Sequence, residues 1–213
     1  MQIYPEHELE AAPGLPEPLP AGERVLWQGS PDWKQLAVEV FHVRQVAVYF
    51  ALMLGLQAIL SWDSADTLSG NLIPLAWSSS MAIIALGLLS FTAWMSAQTT
   101  LYTLTNRRLV MRFGIALPMS INVPYRMVDS AAIRLFGNGC GDLPLQLTEG
   151  QRLGYVVTWP HVRLGRGGKP GPMLRSVEDA EAVGTLLVQA LERENGRTRH
   201  GQAVAVGNTA AMA

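Results

Sequence analysis

The residue types that most often carry catalysis are sparse in this chain. Cys140 is its single cysteine and lies in the glycine-rich stretch Gly137–Asp142, where no neighbouring residue supplies a base. A thiol nucleophile needs such a base and a further group to orient it. Gly165–Lys169 is glycine-rich and basic, but it lacks the Lys-Ser/Thr ending and the directly following helix of a phosphate loop. We therefore expect no catalytic residue and no enzyme activity.

The histidines do not suggest a metal or cofactor site. No group of Cys and His residues has the spacing of metal ligands. His161 follows Trp159–Pro160, where the pattern predicts the end of a strand, and this position favours a structural or surface role. With a net charge of −1 and a sequence pI of about 6.4, the chain carries no global field that would attract nucleic acid. We expect no metal, no cofactor and no nucleic-acid partner.

Long apolar runs without charge occupy the middle of the chain. Gln45–Trp62 and Thr67–Asn106 contain no Asp, Glu, Lys, Arg or His, and the only charges between them are Asp63 and Asp66. Removing a charged group from water is costly, so such runs are typical of segments that lie in lipid. We predict a two-helix transmembrane hairpin with an acidic turn. Its spans are Gln45–Trp62 and about Leu72–Gln98, with Pro74 in the first turn of the second span.

Basic residues flank the two runs on one side only. Lys34 and Arg44 precede the first run, and Arg107, Arg108 and Arg112 follow the second, whereas the connecting turn carries only acids. The positive-inside rule therefore predicts that both termini are cytoplasmic and that the turn lies outside.

The polar residues inside the spans are uncharged. Gln57 and the serines at 78–80 suit hydrogen bonds between helices, and Ala51 and Gly55 form a small-xxx-small pair. That pair would allow close approach within the hairpin or a homodimer. Because no ionisable residue lies mid-span, a proton relay or an ion-coupled transporter is not expected.

After the second run the apolar period changes to two, which is typical of strands. Alternation predicts strands at Arg108–Phe113, Met119–Val123, Leu143–Thr148 and Tyr155–Trp159, with a tight turn at Thr105–Arg107. A strand at Glu23–Gln28 and a helix at Trp33–Phe41 are predicted ahead of the first span. Short strands separated by Asn, Gly and Pro favour an antiparallel sheet or a small barrel.

The C-terminal part combines a loop, a helix and a polar tail. Gly165–Pro172 predicts a loop. Apolar residues at helical spacing from Val183 to Leu191 predict an amphipathic helix, with Ser176 and Asp179 as its capping box. Asn195–Gly196 is expected to end it. Residues 1–22 hold five prolines and predict a disordered arm, and residues 196–213 predict a disordered tail.

This element order, short antiparallel strands closed by one C-terminal helix, is that of a pleckstrin-homology (PH)-like barrel. Gly22–Pro31 resembles the opening strand of bacterial PH-domain membrane proteins, and Tyr102–Val110 resembles their signature Y-x-L-T-N-R-R-L-V. In that family a transmembrane hairpin often lies between the two motifs. The expected fold class is therefore an α+β membrane protein: a two-helix transmembrane hairpin (42–98) inserted in a PH-like antiparallel β-barrel (23–41 and 99–195) with a C-terminal amphipathic helix.

A narrower resemblance concerns Phe41–Leu52, Trp159–Arg163 and Pro172–Ser176. These segments are similar to the PuhB family of photosynthetic complex assembly proteins of purple bacteria, and the match runs in order over about residues 15 to 195. It departs within Leu164–Lys169 and in both tails. The resemblance implies a role in reaction-centre assembly in the bacterial inner membrane, through contact with the reaction-centre H subunit or the core light-harvesting complex.

The same segments suggest which residues meet a partner. They are Trp159, Pro160, His161, Arg163, Met173 and Arg175. A second basic set anchors the helix ends on the cytoplasmic side, or binds anionic lipid head groups or an acidic partner, and the roles are compatible. It comprises Arg44, Arg107, Arg108 and Arg112.

Two alternatives stay open at this stage. His42, beside the first span, could ligate a bacteriochlorophyll during transfer, although interfacial hydrogen bonding is the simpler interpretation. The whole chain could instead be a general bacterial PH-domain membrane scaffold that binds lipid or protein without a photosynthetic role, because Tyr102–Val110 is typical of the wider family.

Overall fold

The computed structural model describes residues 19–62, 68–115, 117–136, 138–148, 154–165, 168 and 170–210. The chain divides into two compact units. The helical unit is Trp33–Ala97, and the sheet unit combines Met1–Asp32 with Gln98–Ala213. The predicted acidic turn at Asp63–Asp66 and the arm before residue 19 lie outside the described residues.

The helical unit contains α1 (Trp33–Glu39), α2 (Val43–Trp62) and α3 (Leu68–Gln98), the last of which ends in the sheet unit. Val43–Ser61 and Leu72–Gln98 are long and apolar enough to cross a membrane. Of the most apolar 18-residue stretch in each, 0% and 6% of the residues are buried. The two predicted apolar helices are thereby confirmed as helices. Most of their described large apolar side chains are exposed.

Two details of these helices differ from expectation. Pro74 lies in the second turn of α3, because the helix begins at Leu68 rather than at Leu72. The hydroxyls of Ser78 and Ser80 donate to the carbonyls of Pro74 and Ala76, at 3.0 and 2.8 Å. The bonds expected between helices are thus made within one helix, since a serine can reach the carbonyl four residues earlier.

The first sheet of the sheet unit has four antiparallel strands in the order β1-β2-β3-β4. Their bounds are β1 Val25–Gly29, β2 Leu101–Thr105, β3 Arg108–Phe113 and β4 Met119–Pro124. The predicted tight turn between β2 and β3 is confirmed. The Thr105 hydroxyl accepts hydrogen bonds from the backbone N–H groups of Arg107 (3.2 Å) and Arg108 (3.0 Å), which closes the turn.

The second sheet has the order β5-β7-β9-β8, and β6 also pairs with β7. The strands are β5 Val128–Ala131, β6 Arg134–Leu135, β7 Gly141–Leu147, β8 Val162–Leu164 and β9 Pro170–Val177. Among the described strands the two sheets stay open, so the predicted closed barrel is wrong. Pro124 ends β4 and a single 3-10 turn, Tyr125–Met127, carries the chain into the second sheet, which interrupts the hydrogen-bonded ladder.

Two segments take a different structure from the predicted one. Tyr155–Thr158 is a one-turn helix, α4, rather than a strand. The Thr158 hydroxyl donates to the Gly154 carbonyl at 2.8 Å and stabilises that turn, and Pro160 ends it because proline has no N–H to donate. Pro170–Pro172, predicted as part of a loop, forms the start of β9 and pairs with β8.

The C-terminal helix, α5, spans Ala180–Ala210. The predicted capping box is wrong, because Ser176 belongs to β9 and its buried hydroxyl has no hydrogen-bond partner among the described residues. The pairing of Gly141 with Val177 keeps that position in the sheet, and Asp179 precedes the helix instead. The helix also continues through Asn195–Gly196 instead of ending there; an interior glycine costs roughly 1 kcal/mol, which a helix can tolerate.

The core of the sheet unit is formed by apolar residues from both sheets and from α5. Tyr102, Leu104 and Leu143 have no exposed surface, and Val183 and Leu187 of α5 pack into the same cluster. The alternation predicted for β3 and β7 places Leu109, Met111 and Leu145 in this core. This core holds in place the polar residues described next.

Candidate functional site

A buried polar cluster links the two sheets. We call it the His161 cluster: Thr100, Tyr102, Asp142, His161 and Arg175. The Tyr102 hydroxyl lies 2.7 Å from Nδ1 of His161, and the Thr100 hydroxyl lies 3.1 Å from Nε2. Tyr102, Thr100 and His161 are each at most 1% exposed. Tyr102, the tyrosine of the family signature, is therefore a buried residue that makes hydrogen bonds within the fold.

The hydrogen-bond directions favour one tautomer of His161. The backbone N–H of Arg175 donates to the Tyr102 hydroxyl at 3.1 Å, so the tyrosine proton is directed to Nδ1 of His161. Nε2 then carries the ring proton and donates to Thr100. Burial, reinforced by the charge of Arg175, lowers the pKa of His161 to about 3. A neutral ring with both nitrogens engaged suits a structural role.

An ion pair completes the His161 cluster. Arg175 Nη1 lies 3.2 Å from Asp142 Oδ2, and the side chain of Asp142 is 2% exposed. The other carboxylate oxygen accepts the backbone N–H of Ser176 at 2.9 Å. Arg175 Nε donates to the carbonyl of Pro160 at 3.1 Å, beside the cis Trp159–Pro160 peptide bond. These bonds hold the turn between α4 and β8 against β9.

The six residues predicted to meet a partner separate into two groups. Trp159 is 49% exposed and Arg163 is also exposed, as expected. Exposure was wrongly expected for the other four, because Pro160, His161 and Met173 are buried and Arg175 is held by Asp142 and Pro160. Trp159, Arg163 and Leu164 thus lie at the surface, whereas Pro160, His161 and Val162 between them are buried.

The exposed group belongs to an apolar surface that sequence reasoning only partly found. Tyr155, Trp159 and Leu164 are 44%, 49% and 54% exposed, and Arg163, which precedes Leu164 in β8, is exposed as well. We call these four residues the Trp159 face. Tyr155 was missed because alternation predicted a strand there; one helical turn instead places Tyr155 and Trp159 at i and i+4, on one side.

A cleft of about 380 Å³ adjoins the Trp159 face. It is lined by Ser130, Ala132, Pro144, Leu145, Gln146, Arg163, Leu164 and Gly165. Arg163 is the charged residue among the described residues of this lining. An exposed apolar face beside a cleft with this cation suits a protein surface that carries apolar side chains and a carboxylate.

One residue of the second basic set, Arg108, makes an ion pair within the sheet unit. Arg108 Nε lies 2.7 Å from Glu23 Oε1, and the Glu23 side chain is only 3% exposed. Asn106 accepts the backbone N–H of Arg24 and donates to the carbonyl of Gly22, both at 2.9 Å. The T-N-R-R part of the signature thus fastens β1 to the β2–β3 hairpin.

The remaining arginines lie at the surface to different degrees. Arg107 is exposed and Arg112 is half-buried in β3, while Arg44 is exposed near the start of α2 in the helical unit. A lipid or partner role stays a prediction for these three, and Arg108 has a structural ion pair in addition. His42, also exposed, has a positive φ of 54° and its carbonyl accepts the N–H of Val46 at 3.0 Å.

The other candidate residues offer little chemistry. Cys140 is 7% exposed, and burial raises the pKa of its thiol, so the reactive thiolate is disfavoured. Within the described ranges, no three His, Cys, Asp or Glu residues gather into a group that could hold a metal ion.

Comparison with known proteins identifies the family of this chain. The chain is 30% identical over 188 residues to a Rhodobacter capsulatus protein named "Uncharacterized 23.7 kDa protein in puhA 5'region", covering 88% of each chain. It is also similar to a DUF1696-family protein with a pleckstrin-homology domain from Shewanella loihica, at 15% identity and a TM-score of 0.29 over 43% of this chain and 71% of that one. The bacterial PH domain pattern matches residues 40–191. The chain therefore belongs to the bacterial PH domain family.

Proposed function

We propose that this protein is a non-enzymatic, membrane-anchored assembly factor for the photosynthetic reaction centre or its core light-harvesting complex. The observation that carries the proposal is the 30% identity over 188 residues to a protein from the puhA 5' region. That name places the relative beside a reaction-centre gene, and genes of one assembly process are often neighbours. The resemblance of Trp159–Arg163 and Pro172–Ser176 to assembly proteins points the same way.

Membrane anchoring by α2 and α3 is the first part of the proposal. Both helices expose their large apolar residues, including Leu52 (70%), Ile59 (72%) and Trp77 (73%). In water such apolar surfaces would aggregate, whereas exposing them to lipid costs little free energy. The basic flanks then favour cytoplasmic termini in the bacterial inner membrane, with the sheet unit on the cytoplasmic side.

Partner contact through the Trp159 face is the second part. Exposed tryptophan, tyrosine and arginine are the residues that most often dominate the energy of protein interfaces. The His161 cluster holds the turn next to Trp159 in place, because Arg175 donates a hydrogen bond to the carbonyl of Pro160. The partner we propose is the reaction-centre H subunit or the core light-harvesting complex, and no cofactor or catalytic group is required for such contact.

The proposed role is tested in a deletion strain of the source bacterium, grown semi-aerobically, by near-infrared absorption of its membranes. We expect selective loss of the reaction-centre and core-antenna bands while pigment synthesis continues. An unchanged spectrum would contradict the photosynthetic role. It would favour the alternative, a PH-domain membrane scaffold that binds lipid or protein elsewhere.

The contact surface is tested by complementing the same strain with variants. Trp159→Ala combined with Arg163→Glu should restore the bands poorly, although the protein reaches the membrane in normal amount. The matched control is Leu135→Ala with Arg193→Glu, since Leu135 is 52% exposed and Arg193 is exposed on α5. Equal restoration by both double variants would show that the Trp159 face is not the contact surface.

A further inference from the structure

The β3–β4 hairpin of the sheet unit ends in apolar side chains. Phe113 and Met119 are the last paired residues, and beyond them Ile115 and Leu117 are 49% and 79% exposed. Met119 is itself 39% exposed. We call Ile115, Leu117 and Met119 the hairpin tip. Single exposed apolar residues are ordinary, but three within five positions at the end of one hairpin form an apolar patch of the kind that marks an interaction site.

The turn of the β3–β4 hairpin depends on its first residue, Gly114. Gly114 has a φ of 122°, a conformation that side-chain-bearing residues rarely adopt. A Cβ at this position would collide with the carbonyl oxygen of Leu117. The turn therefore depends on glycine, and it leaves Leu117 the most exposed large apolar residue in the described part of the sheet unit.

The charges that flank the hairpin tip along the chain are all positive. From Thr67 to Val128 the sequence has no Asp or Glu, and its charged residues are Arg107, Arg108, Arg112 and Arg126. Arg112 lies on β3 opposite Ser120, one residue before the last pair of the hairpin. An apolar tip with an arginine at its base matches a membrane interface, where acyl chains lie beneath phosphate groups.

The chain enters the first sheet from α3 at the same end of the β2–β3 ladder. That helix ends at Gln98 and β2 begins at Leu101, so three residue steps of at most about 11 Å separate them. Leu101 pairs with Arg112 in the β2–β3 ladder. The hairpin tip thus lies at the same end of the sheet as Leu101, the first residue of β2.

We propose that the hairpin tip inserts into the interface of the membrane that α2 and α3 span, with Arg112 at the level of the lipid phosphates. This inference rests on the proposed membrane anchoring of the helices. The sheet unit would then be attached to the membrane in two ways: covalently to α3 at Gln98, and non-covalently through the hairpin tip. Two attachments would restrict rotation of the sheet unit about the short segment that joins it to α3.

The test uses the full chain in liposomes of phosphatidylcholine and phosphatidylglycerol. Cys140 is replaced by alanine, and single cysteines are introduced by Leu117→Cys, Asn122→Cys or Leu88→Cys and labelled with an environment-sensitive fluorophore. Leu117 is at the hairpin tip. Asn122 is exposed on β4, three residues from Met119, and Leu88 lies within the second apolar segment.

We expect the label at position 117 to be quenched by bromine-labelled lipid and to be several-fold less sensitive to aqueous iodide than the label at 122. The label at 88 should be protected from iodide as well. If 88 is protected while 117 is as sensitive to iodide as 122, the hairpin inference is wrong and the membrane anchoring stands. If 88 is also sensitive, the membrane anchoring itself is wrong.

One further outcome separates lipid from protein as the cover. A label at 117 that resists iodide but is not quenched by bromine-labelled lipid would lie against protein, and would overturn the inference. Leu117→Ser supplies a second readout without a label. It should make the sheet unit more accessible to protease in liposomes, whereas the matched change Leu135→Ser, at a position 52% exposed on β6, should not.

Discussion

Leucine occupies opposite environments in the two units of this protein. Leu104 and Leu143 in the sheet unit have no exposed surface, whereas Leu52 and Leu60 in the helical unit are 70% and 63% exposed. Burying a leucine side chain is worth about 1.5–3 kcal/mol in water. The sheet unit gains that energy by folding on itself, and the helical unit leaves the burial to its surroundings.

Polar groups follow the same division. In the sheet unit, hydroxyls reach across elements, as when Tyr125 donates to the carbonyl of Thr105 at 2.7 Å. In α2 and α3, the hydroxyls of Ser61 and Ser80 bond to carbonyls four residues earlier in the same helix. A helix that satisfies its own polar groups needs no water and no partner, which is the requirement for lying in lipid.

The largest expected effect of a substitution tests the core of the sheet unit. Leu143→Ala should lower the free energy of unfolding by about 2–5 kcal/mol, because it leaves a cavity in a closely packed core. Local hydrogen exchange along β7, measured in lipid nanodiscs, reports the change. The matched variant Leu88→Ala, at a position 60% exposed on α3, should leave exchange in β7 unaltered. Equal changes in β7 exchange for the two variants would contradict the view that Leu143 is in a packed core and Leu88 is not.

A charge in the helical unit should have a comparable effect on a different quantity. Leu88→Arg places a cation within the second apolar segment, which costs about 2.5–3.5 kcal/mol at the centre of an inserted helix. We expect less protein in the membrane fraction. Leu164→Arg, on an exposed residue of the sheet unit, is the control and should be recovered normally. Undiminished recovery of the Leu88 variant would argue against insertion of α3.

Loss of one hydroxyl in the His161 cluster should have a smaller effect. Tyr102→Phe removes the acceptor of the Arg175 N–H and the donor to His161, and leaving buried polar groups unpaired costs about 1–3 kcal/mol. Urea unfolding followed by far-UV circular dichroism measures the loss. Tyr155→Phe, on a half-exposed ring, should change stability little. A neutral result for Tyr102→Phe would mean that this cluster does not stabilise the sheet unit.

Acidification should produce the most gradual effect. The pKa of His161 is lowered to about 3, below its ordinary value of 6.5, so between these values the unfolded chain binds a proton that the folded protein does not. The contribution of His161 to stability is therefore complete above pH 6.5 and decreases as the pH falls toward 3, by up to about 1.4 kcal/mol per pH unit.

The comparison with His161→Gln isolates this contribution from that of the carboxylates. The variant should be less stable at pH 7, yet it should lose less stability than the parent between pH 6.5 and 4.5. Urea unfolding at several pH values in this window measures both. Parallel pH profiles for the parent and the variant would contradict a buried neutral histidine.

Local patterns in the sequence were sufficient for several elements and misleading for others. The strand at Arg108–Phe113 and the turn at Thr105–Arg107 were predicted correctly, because alternation and turn chemistry are local signals. Tyr155–Thr158 alternates as a strand would, but its neighbours close a helical turn. Among the candidate site residues, Trp159 and Arg163 are exposed as predicted, whereas His161 and Met173 are buried, since burial depends on residues distant in sequence.

The sequence by itself determined that this protein has two apolar helices of membrane length, an antiparallel α+β unit and the motifs of its family, because these follow from composition and from short-range periodicity. Only the tertiary structure decided that the sheets remain open and that Tyr102, His161 and Arg175 form one buried cluster. It also separated the exposed Trp159 face from the buried residues beside it. These features depend on strand register and on contacts such as that between Tyr102 and Arg175, 73 positions apart, which no local pattern encodes.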